Sequence, residues 1–141
     1  MIAKILATAA LATLPLAAQA QEQARTMSLG EFEYRNSCAA CHGAGGAGDG
    51  TLAPYLTVAI PDLSVLEAEN DGLFPLTRVY AIIEGSERVA PHGVLDMPVW
   101  GNRYRGRIGA EDLEFGPEEE QAYVVSRIMA LIEHLASIQV E

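Results

Sequence analysis

The chain is poor in the residues that most small domains use to staple themselves or to meet anions. It has two cysteines, Cys38 and Cys41, one tryptophan, Trp100, and one lysine, Lys4. A structural zinc needs four ligands, usually a second CxxC or a close histidine pair. There is no further cysteine, and His92 and His134 are too far apart in sequence to form that pair. No segment repeats, which points to one domain with one site. Long apolar runs are missing as well. The longest, Ile5 to Leu16, is broken by Pro15 and falls short of the ~20 residues of a membrane-spanning helix. Basic charge is scarce: Lys+Arg number 9 against 19 Asp+Glu, a formal net charge of −10. Such a surface repels nucleic acid and anionic lipid, and it suits a partner with a basic docking face.

The N-terminus reads as an address. Lys4, the short apolar core and Ala18-Gln19-Ala20 make a secretory signal peptide over residues 1–20, cleaved after Ala20. Its removal leaves 121 of the 141 residues, one small domain over 21–141 in which 21–27 form a loose tail. Removing Lys4 takes Lys+Arg from 9 to 8 against 19 acids, so the mature chain stands at −11 and holds no lysine. The expected location is the periplasm, with no membrane span after cleavage and a monomeric state.

Cys38-Ala39-Ala40-Cys41-His42 is the chemically specific stretch. Two thiols separated by two residues, with a histidine directly after the second, form the pattern of c-type haem attachment. Each thiol can join one vinyl group of a porphyrin, and the adjacent histidine is carried under the ring to bind iron. Export agrees with this, because haem is attached to exported thiols outside the cytosol. A thioredoxin-like dithiol is the competing reading and would want a βαβ surround. The glycine-rich run Gly43 to Gly50 does not fit GxxxxGK[ST] and follows no strand, so it is not a phosphate loop. Beside the cysteines it reads as backbone able to pass close to a flat ligand.

Helical signals flank this stretch. Ser28 and Glu31 have capping-box spacing at the head of a helix over Leu29–Ser37, on which Gly30 and Tyr34 share a face. Residues 61–69 hold a short helical stretch ended by Asn70-Asp71-Gly72. Pro75 opens a helix over Leu76–Glu84, with Leu76, Val79, Ile82 and Ile83 as its apolar stripe and Gly85 at its end. Gly116-Pro117 opens the last helix, with Glu118, Glu119 and Glu120 in its first turn. Val124, Ile128, Leu131, Leu135 and Ile138 form its core stripe; Ala122, Val125, Met129, Ile132 and Ala136 widen it.

Taken together, Tyr34, Cys38-Ala39-Ala40-Cys41-His42-Gly43, Gly46, Gly48-Asp49-Gly50 and Pro61-Asp62-Leu63 resemble the N-terminal half of a bacterial class I c-type cytochrome. Met97-Pro98-Val99-Trp100-Gly101 and the terminal helix are similar to its second half. The resemblance spans about Leu29 to Gln139. It implies an all-α cytochrome c fold of about four helices, with N- and C-terminal helices crossed around one covalently bound haem. Cys38 and Cys41 would hold the haem, and His42 and Met97 would be the axial iron ligands. Met/His ligation raises the potential of such a centre. His92, five residues upstream of Met97, is the rival ligand. Pro54 and Pro61 compete to offer a backbone carbonyl to the axial histidine. Pro54 follows the mitochondrial spacing, and Pro61-Asp62-Leu63 follows the bacterial branch, which is preferred. Trp100 is a candidate to pack on the haem edge or simply to fill core. Arg103, Arg105 and Arg107 are available to propionates, to a partner or to solvent. His134 reads as a packing or surface residue.

The expected function is one-electron transfer between respiratory or dehydrogenase partners, without catalysis of its own. Three alternatives remain: a haem subunit dedicated to one dehydrogenase or oxidase, a five-coordinate haem enzyme or sensor if Met97 is not a ligand, and a dithiol protein.

Overall fold

The computed structural model describes residues 26–87, 100–110 and 115–140. The expected leader over 1–20, His92 and Met97 lie outside the described residues. Among those described there are five α-helices, two short 3-10 turns and no strand. The helices are α1 (Leu29–Ser37), α2 (Ala39–His42), α3 (Leu76–Glu84), α4 (Trp100–Ala110) and α5 (Pro117–Ser137), with 3-10 turns at Ala53–Tyr55 and Ala68–Asn70. No described helix is long and apolar enough to cross a membrane.

α1 begins where the sequence signals it. Ser28 Oγ accepts the Glu31 backbone N–H at 3.1 Å, satisfying one of the free donors of the first turn. The Glu31 carboxylate then meets Arg35 one turn on, at 2.9 Å. Gly30, Glu33 and Tyr34 form the buried face. α5 starts at Pro117 after Gly116, whose N–H donates to the Glu119 carboxylate at 2.8 Å. Its Val124, Ile128, Leu131 and Leu135 are buried at helical spacing, each contributing about 1.5–3 kcal/mol of apolar burial. α1, α3 and α4 all pack on this helix, so α5 is the spine of the fold.

The buried face of α5 is narrower than its apolar composition. Met129, expected in the core, is 40% exposed, and Ala122 and Ala136 also face solvent. α1, α3 and α4 cover the stripe centred on Ile128 and Leu131 together with the flanking Ile132, which is buried, whereas Met129, Ala122 and Ala136 stay outside.

α4 is the element with no clear forecast, because the arginines at 103, 105 and 107 read as loop. Trp100, Tyr104 and Ile108, four apart, are buried and face α3 and α5. Gly101 allows the approach: a Cβ there would lie 2.8 Å from the Glu84 carbonyl oxygen at the end of α3. The helical stretch expected over 61–69 is instead a series of turns ending in the 3-10 turn Ala68–Asn70.

Candidate cofactor site

The CxxCH stretch folds as a single helical turn. The Cys38 N–H closes α1 on the Tyr34 carbonyl at 2.8 Å, and the Cys38 carbonyl receives the N–H groups of Cys41 (3.1 Å) and His42 (2.9 Å). Positions i, i+3 and i+4 of a helix lie near one another, yet of the three residues Cys38 and His42 line the neighbouring cavity and Cys41 does not. Both thiols are free and half-buried, and His42 is buried.

Glycine then lets the chain double back. Gly48, at φ +75°, lies so close to residue 60 that a Cβ would sit 2.5 Å from the Ile60 carbonyl oxygen. The Leu63 N–H donates to the Gly46 carbonyl at 2.6 Å, pinning 60–64 alongside the glycine run. This places the Pro61 carbonyl 3.3 Å from His42 Nδ1. With Nδ1–H donating to Pro61, the neutral imidazole carries its lone pair on Nε2. Of the two competing prolines, Pro61 is therefore the one against His42. Pro54 lies in the exposed 3-10 turn Ala53–Tyr55.

Two further ties hold this backbone. Tyr34 Oη donates to the Gly43 carbonyl at 2.7 Å, joining α1 to the residue after the histidine. Asp62 Oδ1 accepts from the Ser64 N–H (2.8 Å) and the Ser64 hydroxyl (2.6 Å), fixing the turn after Pro61. Those bonds hold the Asp62 carboxyl below its ordinary pKa.

His42 and Cys38 stand on the wall of a cavity of about 300 Å³. Leu63 and Leu66 form one side, Val79 and Ile83 of α3 another, and Leu131 and Leu135 of α5 its floor. Trp100, buried at the start of α4, completes the lining, with the Arg103 guanidinium 4.9 Å above its ring. Among the described residues, the charged side chains on the lining are Glu69 and Arg78, both exposed. An aliphatic slot with one imidazole and one thiol suits a flat apolar ligand held at one edge and bound through a metal. The residues present fit a haem.

Burial pushes the Cys38 thiol up to about 12, with the nearby Glu33 charge and then Cys41 adding to it. Reactive dithiols need the opposite, a thiol poised as thiolate.

The arginines resolve separately. Arg105 faces Glu84 and Glu120 at 3.9 and 3.6 Å, and Arg103 stacks on Trp100. Arg107 reaches inward to Glu33, whose carboxylate is wholly buried and also takes Arg127. Glu33 carried no forecast. The available signal was its place between Gly30 and Tyr34 on the packing face of α1. His134, expected to be a packing or a surface residue, packs its ring 4.9 Å from that of Tyr34.

No family model, no curated protein and no solved structure matches this chain.

Proposed function

We propose that the chain is a periplasmic one-electron carrier of the class I c-type cytochrome kind, with a cytochrome c fold and one covalently attached haem. The observation that carries the reading is His42, backed by the Pro61 carbonyl, sharing an apolar cavity wall with Cys38. When bound, haem supplies an iron centre that gains or loses one electron. Cys38 and Cys41 would hold it through thioether bonds. His42 would offer Nε2 to the metal, with the bond from Nδ1 to Pro61 fixing the ring and raising its basicity. Met97, three residues before the cavity residue Trp100 in sequence, would supply the second ligand. Its thioether favours the reduced metal, whereas His92 in that role would lower the potential. The aliphatic walls offer water few hydrogen-bond partners, which would help keep the surroundings of the centre alike in both redox states. The strongly acidic mature chain favours brief docking to a basic face on a redox partner. Service as a dedicated subunit of a dehydrogenase or oxidase is compatible with the same site. The dithiol reading would want a βαβ surround, and the described residues hold no strand.

The test is to express the full chain with a haem-attachment apparatus and weigh the exported product. A mass of bare polypeptide ends the reading. A haem adduct with a low-spin, six-coordinate spectrum supports it. Met97→Ala should then lower the midpoint potential and open the iron to added ligands. A mutant with unchanged potential and a closed coordination sphere excludes Met97.

A further inference from the structure

The turn that carries the cysteines and the histidine is laced to the glycine run that follows it. A helix leaves its last carbonyls without partners of its own. Alternate residues of the run supply them here. The N–H groups of Gly48, Gly50 and Leu52 donate to the carbonyls of His42 (2.9 Å), Cys41 (3.1 Å) and Ala40 (2.8 Å). Backbone meets backbone along this lace: a Cβ on Gly50 would lie 2.5 Å from both the carbon and the oxygen of the Cys41 carbonyl.

Gly48 is the residue of the lace that is held from two directions. Its N–H holds the His42 carbonyl, while its Cα stands against residues 60 and 61. A Cβ there would lie 2.5 Å from the Ile60 carbonyl oxygen and 3.5 Å from that of Pro61. The Pro61 carbonyl is the one that faces His42 Nδ1, at 3.3 Å. The bare backbone of Gly48 thus sets how near the segment 60–61 comes to the histidine. A side chain at 48 would have to push the Ile60 carbonyl from 2.5 Å to beyond 3.0 Å. The neighbouring bond to His42 is already long at 3.3 Å, and a shift of that size takes it out of hydrogen-bonding range.

We infer that Gly48 is a positioning residue of the redox centre: it sets the bond between His42 and Pro61 and through it holds the reduction potential down. The inference rests on the haem reading above. An imidazole whose N–H is held by a carbonyl is a more basic ligand, and a more basic ligand favours the oxidised, more positive metal. Loss of the bond should therefore raise the midpoint.

A second glycine separates this role from simple backbone strain. Gly72 has the same left-handed φ of +75°, yet a Cβ there meets nothing within 4 Å. Gly48→Ala and Gly72→Ala share the strain of a side chain at positive φ, so both should melt below the parent. Only Gly48→Ala should move the midpoint, and upward. At a fixed ambient potential its reduced-to-oxidised ratio should rise several-fold, toward the low end of the ~10–100-fold effects of losing an outer-shell partner. It should also lose the slowly exchanging Nδ1 proton of His42, which Gly72→Ala keeps. An unmoved or lowered midpoint in Gly48→Ala, or equal shifts in the two variants, overturns the inference. Should Gly48→Ala yield no exported protein, the parent decides: its Gly48 amide and His42 Nδ1 proton should exchange slowly, and fast exchange of either overturns the inference. Mass is read first. A parent chain lacking the macrocycle refutes the haem reading itself, whereas a loaded chain with the wrong midpoints refutes only the part given to Gly48.

Discussion

Gly30 on α1 lies so close to Ala130 on α5 that a Cβ on the glycine would overlap the alanine's backbone carbonyl. Backbone touches backbone there, and neither helix can yield by a rotamer change. Gly30→Ala should therefore destabilise the fold by about 1–3 kcal/mol, despite the ~1 kcal/mol gain in helix propensity. Gly106 on α4 is the control, because a Cβ there meets nothing within 4 Å. Gly106→Ala should stabilise by about 0.5–1 kcal/mol. Melting of both variants checks the pair, and a stabilised Gly30→Ala would show that the helices are not in this contact.

Glu33 yields a stability prediction, because its buried carboxylate joins two arginines. Glu33→Ala leaves two partly buried guanidiniums without their carboxylate, a loss of about 3–5 kcal/mol. Arg127→Ala should cost clearly less, since Arg107 still reaches both oxygens. Urea unfolding of the two variants gives the comparison. Equal costs, or a Glu33→Ala variant within 1 kcal/mol of the parent, would contradict the geometry.

The parts of the fold that the sequence announced are those whose signals are local. α1 carries its cap at Ser28, α5 its Gly-Pro start and acidic first turn, and the thiols and imidazole of α2 reveal themselves by spacing alone. α4 was hidden because Gly101, Gly106 and three arginines lower its intrinsic helicity, while the Trp100, Tyr104, Ile108 stripe is only three residues long. Packing on α3 and α5 supplies what propensity does not. The choice between Pro54 and Pro61 depended on how far the glycine run folds back, a distance no spacing encodes. Glu33 was hidden for the same reason, since its arginines stand 74 and 94 residues away.

Asp62 gives the site a pH dependence of known sign. Its carboxylate accepts two bonds from Ser64, which hold its folded pKa below the ordinary 3.8. A depressed folded pKa contributes stability above the unfolded value, and that contribution is lost as pH falls through the folded one. The stability gap between the parent and Asp62→Ala should be constant near neutrality. It should shrink once pH drops below about 4. A gap that widens in acid would mean that the turn does not depend on the ionised carboxyl.

Gln139, just beyond α5, ties the end of the spine to the cavity wall. Its Oε1 accepts the Glu67 N–H at 2.9 Å, and its Nε2 donates to the carbonyls of Leu63 (2.7 Å) and Leu135 (2.8 Å). The neighbouring Val140 N–H adds a bond to the Ser64 carbonyl at 2.8 Å. Gln139→Ala leaves three half-buried backbone groups without this partner and should cost about 1–3 kcal/mol. Gln139→Glu is the sharper variant. Its carboxylate keeps an acceptor for Glu67 but turns a second oxygen toward two carbonyls, so it should be less stable than the alanine variant at neutral pH. Slow exchange of the Glu67 amide should persist in Gln139→Glu and disappear in Gln139→Ala. The reverse order of stabilities would mean that the bonds from Gln139 Nε2 do not hold the wall formed by Leu63 and Leu66.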